Sequence, residues 1–178
     1  MKVLVFGAGG QIGREVCRAA WPPRYAIMPL DENAVDITKS AAVTAMLARE
    51  TPDLAINLAA YTAVDRAESE PEAAWAVNCA GAAHVAAACE ESATPLIHLS
   101  TDYVFDGRKT EAYLEDDPVG PLNVYGRTKE AGERAVRAAL ARHVIVRTAW
   151  VFGAYGANFV KTILRLEPSD RSLRIVAD

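Results

Sequence analysis

The stretch Lys2-Val3-Leu4-Val5-Phe6-Gly7-Ala8-Gly9-Gly10-Gln11-Ile12-Gly13 decides the fold. Its first half is a short apolar run, the pattern of a strand covered on both faces of a sheet. Its second half spaces Gly7, Gly10 and Gly13 three apart, just before a helical pattern begins. Glycines at that spacing permit a tight strand-to-helix turn, backbone approach to a pyrophosphate, and close packing of helix on strand. A helix starting near Gln11 would turn its free amides and positive dipole end toward the phosphates. A glycine turn in a nucleotide-free α/β protein has the same composition, but the placement between strand and helix favours a dinucleotide loop. The apolar segment is short and runs into a structural turn, unlike a secretory signal.

Outward from this loop, apolar runs alternate with helical patterns. Strands are predicted over 2–6, 25–30, 54–58, 95–99, 144–147 and 172–176, and helices over 11–20, 40–50, 72–91, 124–141 and 159–166. That alternation predicts a Rossmann-type, doubly wound parallel sheet with helices on both faces. Trp21-Pro22-Pro23 stops the first helix, because proline lacks the amide a helix needs. Thr38 or Ser40 is expected to cap the second. No internal repeat or low-complexity linker divides the chain, so 1–178 reads as one domain.

Hydrophobic residues make up 51% and charged residues 24%, and no apolar run approaches the ~20 residues that cross a bilayer. A cytoplasmic globular protein without membrane attachment is expected. Net charge is -4, and the densest cationic stretch, 127–137, is interleaved with Glu130 and Glu133. Nucleic-acid binding is therefore not expected. Cys17, Cys79 and Cys89 lack CxxC spacing, so neither a disulfide framework nor a zinc site is indicated. His84, His98 and His143 are scattered without ligand spacing, and no metal residue is assigned.

Asp31 ends the second strand about 20 residues after the loop, where a carboxylate accepts the adenosine ribose hydroxyls. It disfavours a 2′-phosphate, yet Arg14 after the third glycine could swing toward one, so both NADH and NADPH are expected as cofactors. Asp36 and Ile37 would flank the adenine, unless Asp36 is an ordinary loop carboxylate. The stretch Asn57-Leu58-Ala59-Ala60-Tyr61-Thr62 closes the third strand, and its small residues leave room for a ligand unless it is an ordinary packed strand end. Tyr125 and Lys129 form a YxxxK pair on one helix face. An adjacent ammonium favours the phenolate and should bring the tyrosine toward working pH, as a general acid requires. Thr101, at the end of strand four, is placed to meet the same carbonyl. Asn78 reads as a helix-packing residue or as part of a proton relay.

These features together resemble one family. The glycine-rich start, Asn57-Leu58-Ala59-Ala60-Tyr61-Thr62-Ala63-Val64-Asp65, Ser100-Thr101-Asp102-Tyr103-Val104-Phe105-Asp106-Gly107, Pro121-Leu122-Asn123-Val124-Tyr125-Gly126 and Arg147-Thr148-Ala149-Trp150-Val151-Phe152-Gly153 are similar to the dTDP-4-dehydrorhamnose reductases. These belong to the extended short-chain dehydrogenase/reductases, and the 63–71 stretch is particular to this branch. The resemblance implies NAD(P)H-dependent reduction of the 4-keto group of dTDP-4-dehydro-L-rhamnose to dTDP-L-rhamnose. Tyr125 would be the proton donor, Lys129 would hold that tyrosine and the ribose, and Thr101 would bond the carbonyl oxygen.

The resemblance further implies a cofactor set of Gly10, Gln11, Ile12, Asp31, Asp36, Ile37, Ala60, Tyr61, Thr62, Tyr125 and Lys129, joined by Gly7 and Gly13 from the loop spacing. Asp102, Tyr103 and Trp150 would lie near nicotinamide and sugar, with Trp150 either a core residue or a substrate wall. Family members continue into a C-terminal substrate-binding portion, so the chain is expected to stop before it. A homodimer acting on a dTDP-sugar is the implied assembly. Two alternatives stay open: a non-catalytic NADP-binding regulatory subunit resembling the methionine adenosyltransferase β subunit, and another sugar-nucleotide reductase or epimerase.

Overall fold

The computed structural model describes residues 1–166. Strand β1 (Lys2–Phe6) lies at the centre of the sheet, and Val3, Leu4, Val5 and Phe6 are wholly buried. Because side chains alternate along a strand, Leu4 and Phe6 enter one core and Val3 and Val5 another. The larger core is closed by α2 (Ser40–Glu50), α5 (Ala82–Glu91) and α6 (Val124–Ala139), through Val43, Leu47, Val85, Cys89 and Val136. The other is covered by α1 (Gln11–Arg18), with Val16 and Cys17, and by Trp21 and Tyr25.

The remaining strands are β2 (Ala26–Leu30), β3 (Leu54–Asn57), β4 (Leu96–Thr101) and β5 (His143–Thr148). All pair in parallel, in the order β2-β1-β3-β4-β5. The chain leaves β1 for one side of the sheet and returns to β3 on the other. A crevice therefore opens at the carboxyl ends of β1 and β3, where open α/β sheets take their ligands. Helices on both faces of a parallel sheet make this the Rossmann-type fold expected.

Several local expectations change. Strand β4 runs two residues beyond 95–99 and so carries Ser100 and Thr101 in regular strand geometry. The helix expected over 72–91 is α4 (Pro71–Trp75), a π-helical stretch Ala76–Gly81, then α5. The wider turn holds Asn78 inside the protein, 1% exposed. A short helix α3 (Val64–Ala67) and a 3-10 turn, Asp102–Val104, are too brief to show a period.

Neither Thr38 nor Ser40 caps α2. Lys39 holds the cap position without a side-chain bond, because the Thr38 hydroxyl and amide both donate to Asp36 Oδ1. The last element, α7 (Phe159–Arg165), is capped by Asn158. The strand expected over 172–176 lies outside the described residues. Among those described, the three cysteines are free and no helix is long and apolar enough to cross a membrane.

Candidate active site

Two lobes of one crevice divide the residues singled out above. A lobe of about 420 Å³ brings the loop residues Gly10, Gln11, Ile12 and Gly13 together with Ala60, Thr62, Thr101, Asp102, Tyr103, Tyr125, Lys129 and Trp150. A second, of about 530 Å³, is lined by Gly7, Asp31, Asp36, Ile37 and Tyr61. Gly10, Leu58 and Ala60 belong to both lobes, so the glycine loop stands between them.

The loop needs its glycines for space. Gly7 has a φ of +77°, and a Cβ there would lie 2.5 Å from the Ala59 amide nitrogen. A Cβ on Gly13 would lie 2.2 Å from the Gly7 carbonyl oxygen. Either substitution would push the turn apart. The first turn of α1 has no capping side chain and no acidic residue, which leaves its amides available to an anion.

In the second lobe Asp31 gives one oxygen to the turn, Oδ1 accepting from the Ala34 amide at 2.9 Å. Glu32 and Asp36 also line this lobe, and its lining contains no lysine or arginine among the described residues. Arg14 lines neither lobe. Asp36 accepts from the Thr38 amide at 2.9 Å and hydroxyl at 2.7 Å, bonds that hold its carboxyl below the usual carboxylate range. It shapes the turn as well as lining the pocket. His84 Nδ1 donates to the Ile37 carbonyl at 3.0 Å, which fixes Ile37 from α5.

Tyr125 and Lys129 come from the first turns of α6. Asn123 caps this helix by accepting from the Gly126 amide at 2.7 Å, and Glu68 accepts from the Val124 amide at 2.7 Å. Lys129 is 3% exposed and its ammonium donates to the Leu99 carbonyl at 2.7 Å. Burial pulls its pKa down to about 8, opposed by the charge of Glu133. The Tyr125 ring meets Tyr103 edge-on, with centroids 5.6 Å apart. The expected lowering of its phenol is not what the fold produces. Burial pushes the phenol above its usual range, Asp102 and Tyr103 add to that, and the neighbouring Thr101 hydroxyl opposes it. Lys129, whose ammonium donates to the Leu99 carbonyl, is not among the groups that offset this burial. Thr101 itself donates to Asp102 Oδ1 at 3.0 Å and accepts from the Tyr103 amide at 3.2 Å.

Asp102, Tyr103 and Trp150 border both the 420 Å³ lobe and a further cavity of about 710 Å³ that extends past Phe105, Lys109 and Tyr113. Trp150 is 67% exposed and lines both cavities, so it is not part of the core of the described residues. Its φ of +51° is unusual for a bulky side chain.

The roles of Asn57 and Glu68 escaped the sequence reading, whereas Asn78 makes the packing bonds that one of its two expected roles calls for. It accepts from the Tyr61 amide at 2.9 Å and donates to the Tyr61 carbonyl at 3.1 Å and to Thr128 Oγ1 at 3.0 Å, tying the β3 loop to α6. Asn57 accepts from the Ala59 amide at 3.1 Å and lies 3.2 Å from His98 Nδ1. Glu68 belongs to the distinctive 63–71 stretch, and that membership was the one available signal.

The sequence profile described as RmlD substrate binding domain matches residues 1–178. The chain belongs to this family. Within it, a dTDP-4-dehydrorhamnose reductase of Sinorhizobium fredii is 46% identical over 178 residues, covering 100% of this chain and 60% of that one. The spore coat polysaccharide biosynthesis protein SpsK of Bacillus subtilis is 40% identical, covering 99% and 62%. The crystal structure of a dTDP-4-dehydrorhamnose reductase from Bacillus anthracis in complex with NADP superposes with a TM-score of 0.90 at 41% identity, covering 92% of this chain and 58% of that one. This RmlD-family chain thus spans about 60% of the length of the relatives it matches.

Proposed function

We propose that the protein is a nicotinamide-dependent oxidoreductase that reduces the 4-keto group of dTDP-4-dehydro-L-rhamnose to give dTDP-L-rhamnose. Residues 1–178 would form its NAD(P)-binding Rossmann domain. One observation carries this reading: Tyr125, Lys129 and Thr101 line the same 420 Å³ lobe as the Gly10–Gly13 end of the loop. The names of the reductases from Sinorhizobium fredii and Bacillus anthracis support the substrate, and the NADP bound to the latter supports the cofactor class.

The residues suit a dinucleotide: Gly10 puts no side chain into either lobe, and the first amides of α1 beside it have no capping side chain. Gly10, Gln11, Ile12 and Gly13 would hold the pyrophosphate, and Asp31, Asp36, Ile37, Ala60, Tyr61 and Thr62 the adenosine side. A bound nicotinamide supplies hydride to the carbonyl carbon. Tyr125 gives its phenolic proton to the carbonyl oxygen as charge develops there. With the ammonium of Lys129 turned to the phenol, the raised pKa would come back toward working pH, where a general acid is most effective. Thr101 offers a second hydrogen bond to the same oxygen once its hydroxyl turns from Asp102, and donors aimed at developing charge lower the barrier. Lys129, in its ammonium form, would face the ribose and stabilise the phenolate left behind. Asp102, Tyr103 and Trp150 would receive the sugar where the lobe opens into the larger cavity. A purely regulatory cofactor holder has no use for three proton-handling groups around one lobe.

The test is oxidation of NADH and of NADPH by the 4-keto dTDP-sugar with the full-length protein, the product being identified by NMR. Consumption of reduced cofactor with formation of dTDP-L-rhamnose is expected. Cofactor binding without oxidation in either arm would refute the reading.

A further inference from the structure

The polar layer behind Lys129 contains a carboxylate that the proposed chemistry leaves unused. Glu133 is 0% exposed, on the α6 turn that follows Lys129. A lone buried carboxylate is costly unless paired and hydrogen-bonded. Arg147 supplies the pairing in two-pronged form, with Nε 2.9 Å from Oε1 and Nη2 2.7 Å from Oε2. Arg137 adds a third bond at 3.0 Å. Arg147 sits on β5 opposite Ser100, one residue before the pair formed by Thr101 and Thr148. The carboxylate therefore ties the helix of Tyr125 and Lys129 to the strand ends that carry Thr101.

We propose that Glu133, one helical turn from Lys129 and clamped by Arg147, is a positioning residue whose charge keeps the lysine in its ammonium form. Positions four apart share a helix face, so Glu133 faces the lysine on one side and Arg137 on the other. The groups around Lys129 are Tyr125 and Glu133 from α6, the Leu99 carbonyl and His98 from β4, and Arg147 from β5 acting through Glu133. His98 is kept neutral by burial and by the nearby lysine. Glu133 is thus the group that opposes loss of the lysine proton. Arg147 also lies over the Phe105 ring at 4.8 Å and donates to the Glu115 carbonyl at 3.3 Å, so the same pair anchors the loop beside the larger cavity. Bidentate geometry of this kind is specific to arginine.

The role in turnover rests on the reductase reading, whereas the effect on Lys129 is also read from cofactor affinity. In the full-length protein, kcat and the NADH dissociation constant are measured against pH for wild type, Glu133→Gln, Glu133→Asp and Arg137→Gln. Glu133→Gln keeps the shape and removes the charge. It should move the alkaline limb of both profiles down by about one pH unit, with KM for the sugar nucleotide changed less than about twofold. Glu133→Asp should restore most of the wild-type limb. Arg137→Gln, at a half-exposed position, removes a cation from the same carboxylate and should move the limb up by a few tenths of a pH unit. A merely structural pair would not give shifts of opposite sign.

Unmoved limbs in Glu133→Gln and Arg137→Gln overturn the proposal. If Glu133→Gln does not fold, Arg137→Gln decides alone, an upward shift supporting the proposal and an unmoved limb overturning it. If wild type binds NADH but reduces no keto-sugar, the reductase reading fails and the affinity profile still judges Glu133.

Discussion

Glu68 accepts a hydrogen bond from the backbone amide of Val124 at 2.7 Å, across 56 positions of sequence, and so holds the first turn of the helix that carries Tyr125. The first amides of a helix have no partner within it. Here Val124 is served by Glu68 and Gly126 by Asn123, on either side of the tyrosine. A carboxylate at this end also complements the helix dipole. Glu68→Ala is expected to lower stability by about 1 kcal/mol, the usual value of a helix cap. It should reduce kcat several-fold while NADH affinity stays nearly constant. Urea melts and steady-state kinetics check this, and a variant equal to wild type in both would remove Glu68 from the site's support.

Tyr125→Phe deletes only the phenolic oxygen. The ring is 9% exposed and packs edge-on against Tyr103, so the phenylalanine should keep the fold. Loss of a positioned general acid costs about 10²–10⁴-fold in rate, and a drop of that size in kcat is expected. NADH affinity should change little, since the loop and the acidic lobe remain. Turnover within a few-fold of wild type would mean that another group delivers the proton.

How far each feature is legible in the sequence follows from the range of the interaction behind it. Lys2–Phe6 followed by spaced glycines is legible as a strand and a turn, because an apolar run buried on both faces and a tight turn are both local. Tyr125 and Lys129 are legible for the same reason, one turn apart on a helix. The Glu68–Val124 bond and the Glu133–Arg147 clamp join segments that no period connects, so they appear only with the fold. The π-helical Ala76–Gly81 keeps the alanine-rich composition of a plain helix while turning Asn78 inward. Thr38 looked like a cap because threonine often is one, but Asp36 two residues earlier competes for it. The raised phenol of Tyr125 follows from how deeply the fold buries its ring, which the spacing of Tyr125 and Lys129 does not reveal.

His98 makes the fold sensitive to acid. Its ring is 1% exposed, and the Asn57 amide facing Nδ1 at 3.2 Å places the proton on Nε2, which has no partner among the described residues. Burial, reinforced by the charge of Lys129, pulls its pKa down to about 3. An unfolded histidine titrates near ~6.5. Between these values the unfolded chain binds a proton that the folded chain refuses. Stability is therefore lost as pH falls from the unfolded value toward the folded one, by at most about 1.4 kcal/mol per pH unit. His98→Leu should start less stable near neutrality, because Asn57 loses its partner, yet show a flatter decline into acid. Urea melts at stepped pH measure both slopes, and parallel curves would show that His98 is not the acid-sensitive group.

The acidic lining of the second lobe predicts a preference for NADH over NADPH. Asp31 commits Oδ1 to the Ala34 amide, which leaves Oδ2 for a ribose hydroxyl. A 2′-phosphate would instead meet Asp31, Glu32 and Asp36 in a lobe whose described lining carries no cation. Like charges so close repel, and tenfold discrimination needs only about 1.4 kcal/mol. Wild type is therefore expected to bind NADH at least about tenfold tighter than NADPH. Asp31→Ser keeps a small polar side chain while removing the charge, and should narrow that gap by about tenfold or more, mainly through tighter NADPH. Fluorescence titration with each reduced cofactor gives the four dissociation constants. Equal affinity for both cofactors in wild type, unchanged by the serine, would mean that Asp31 faces away from the ribose and that the second lobe is not the adenosine site.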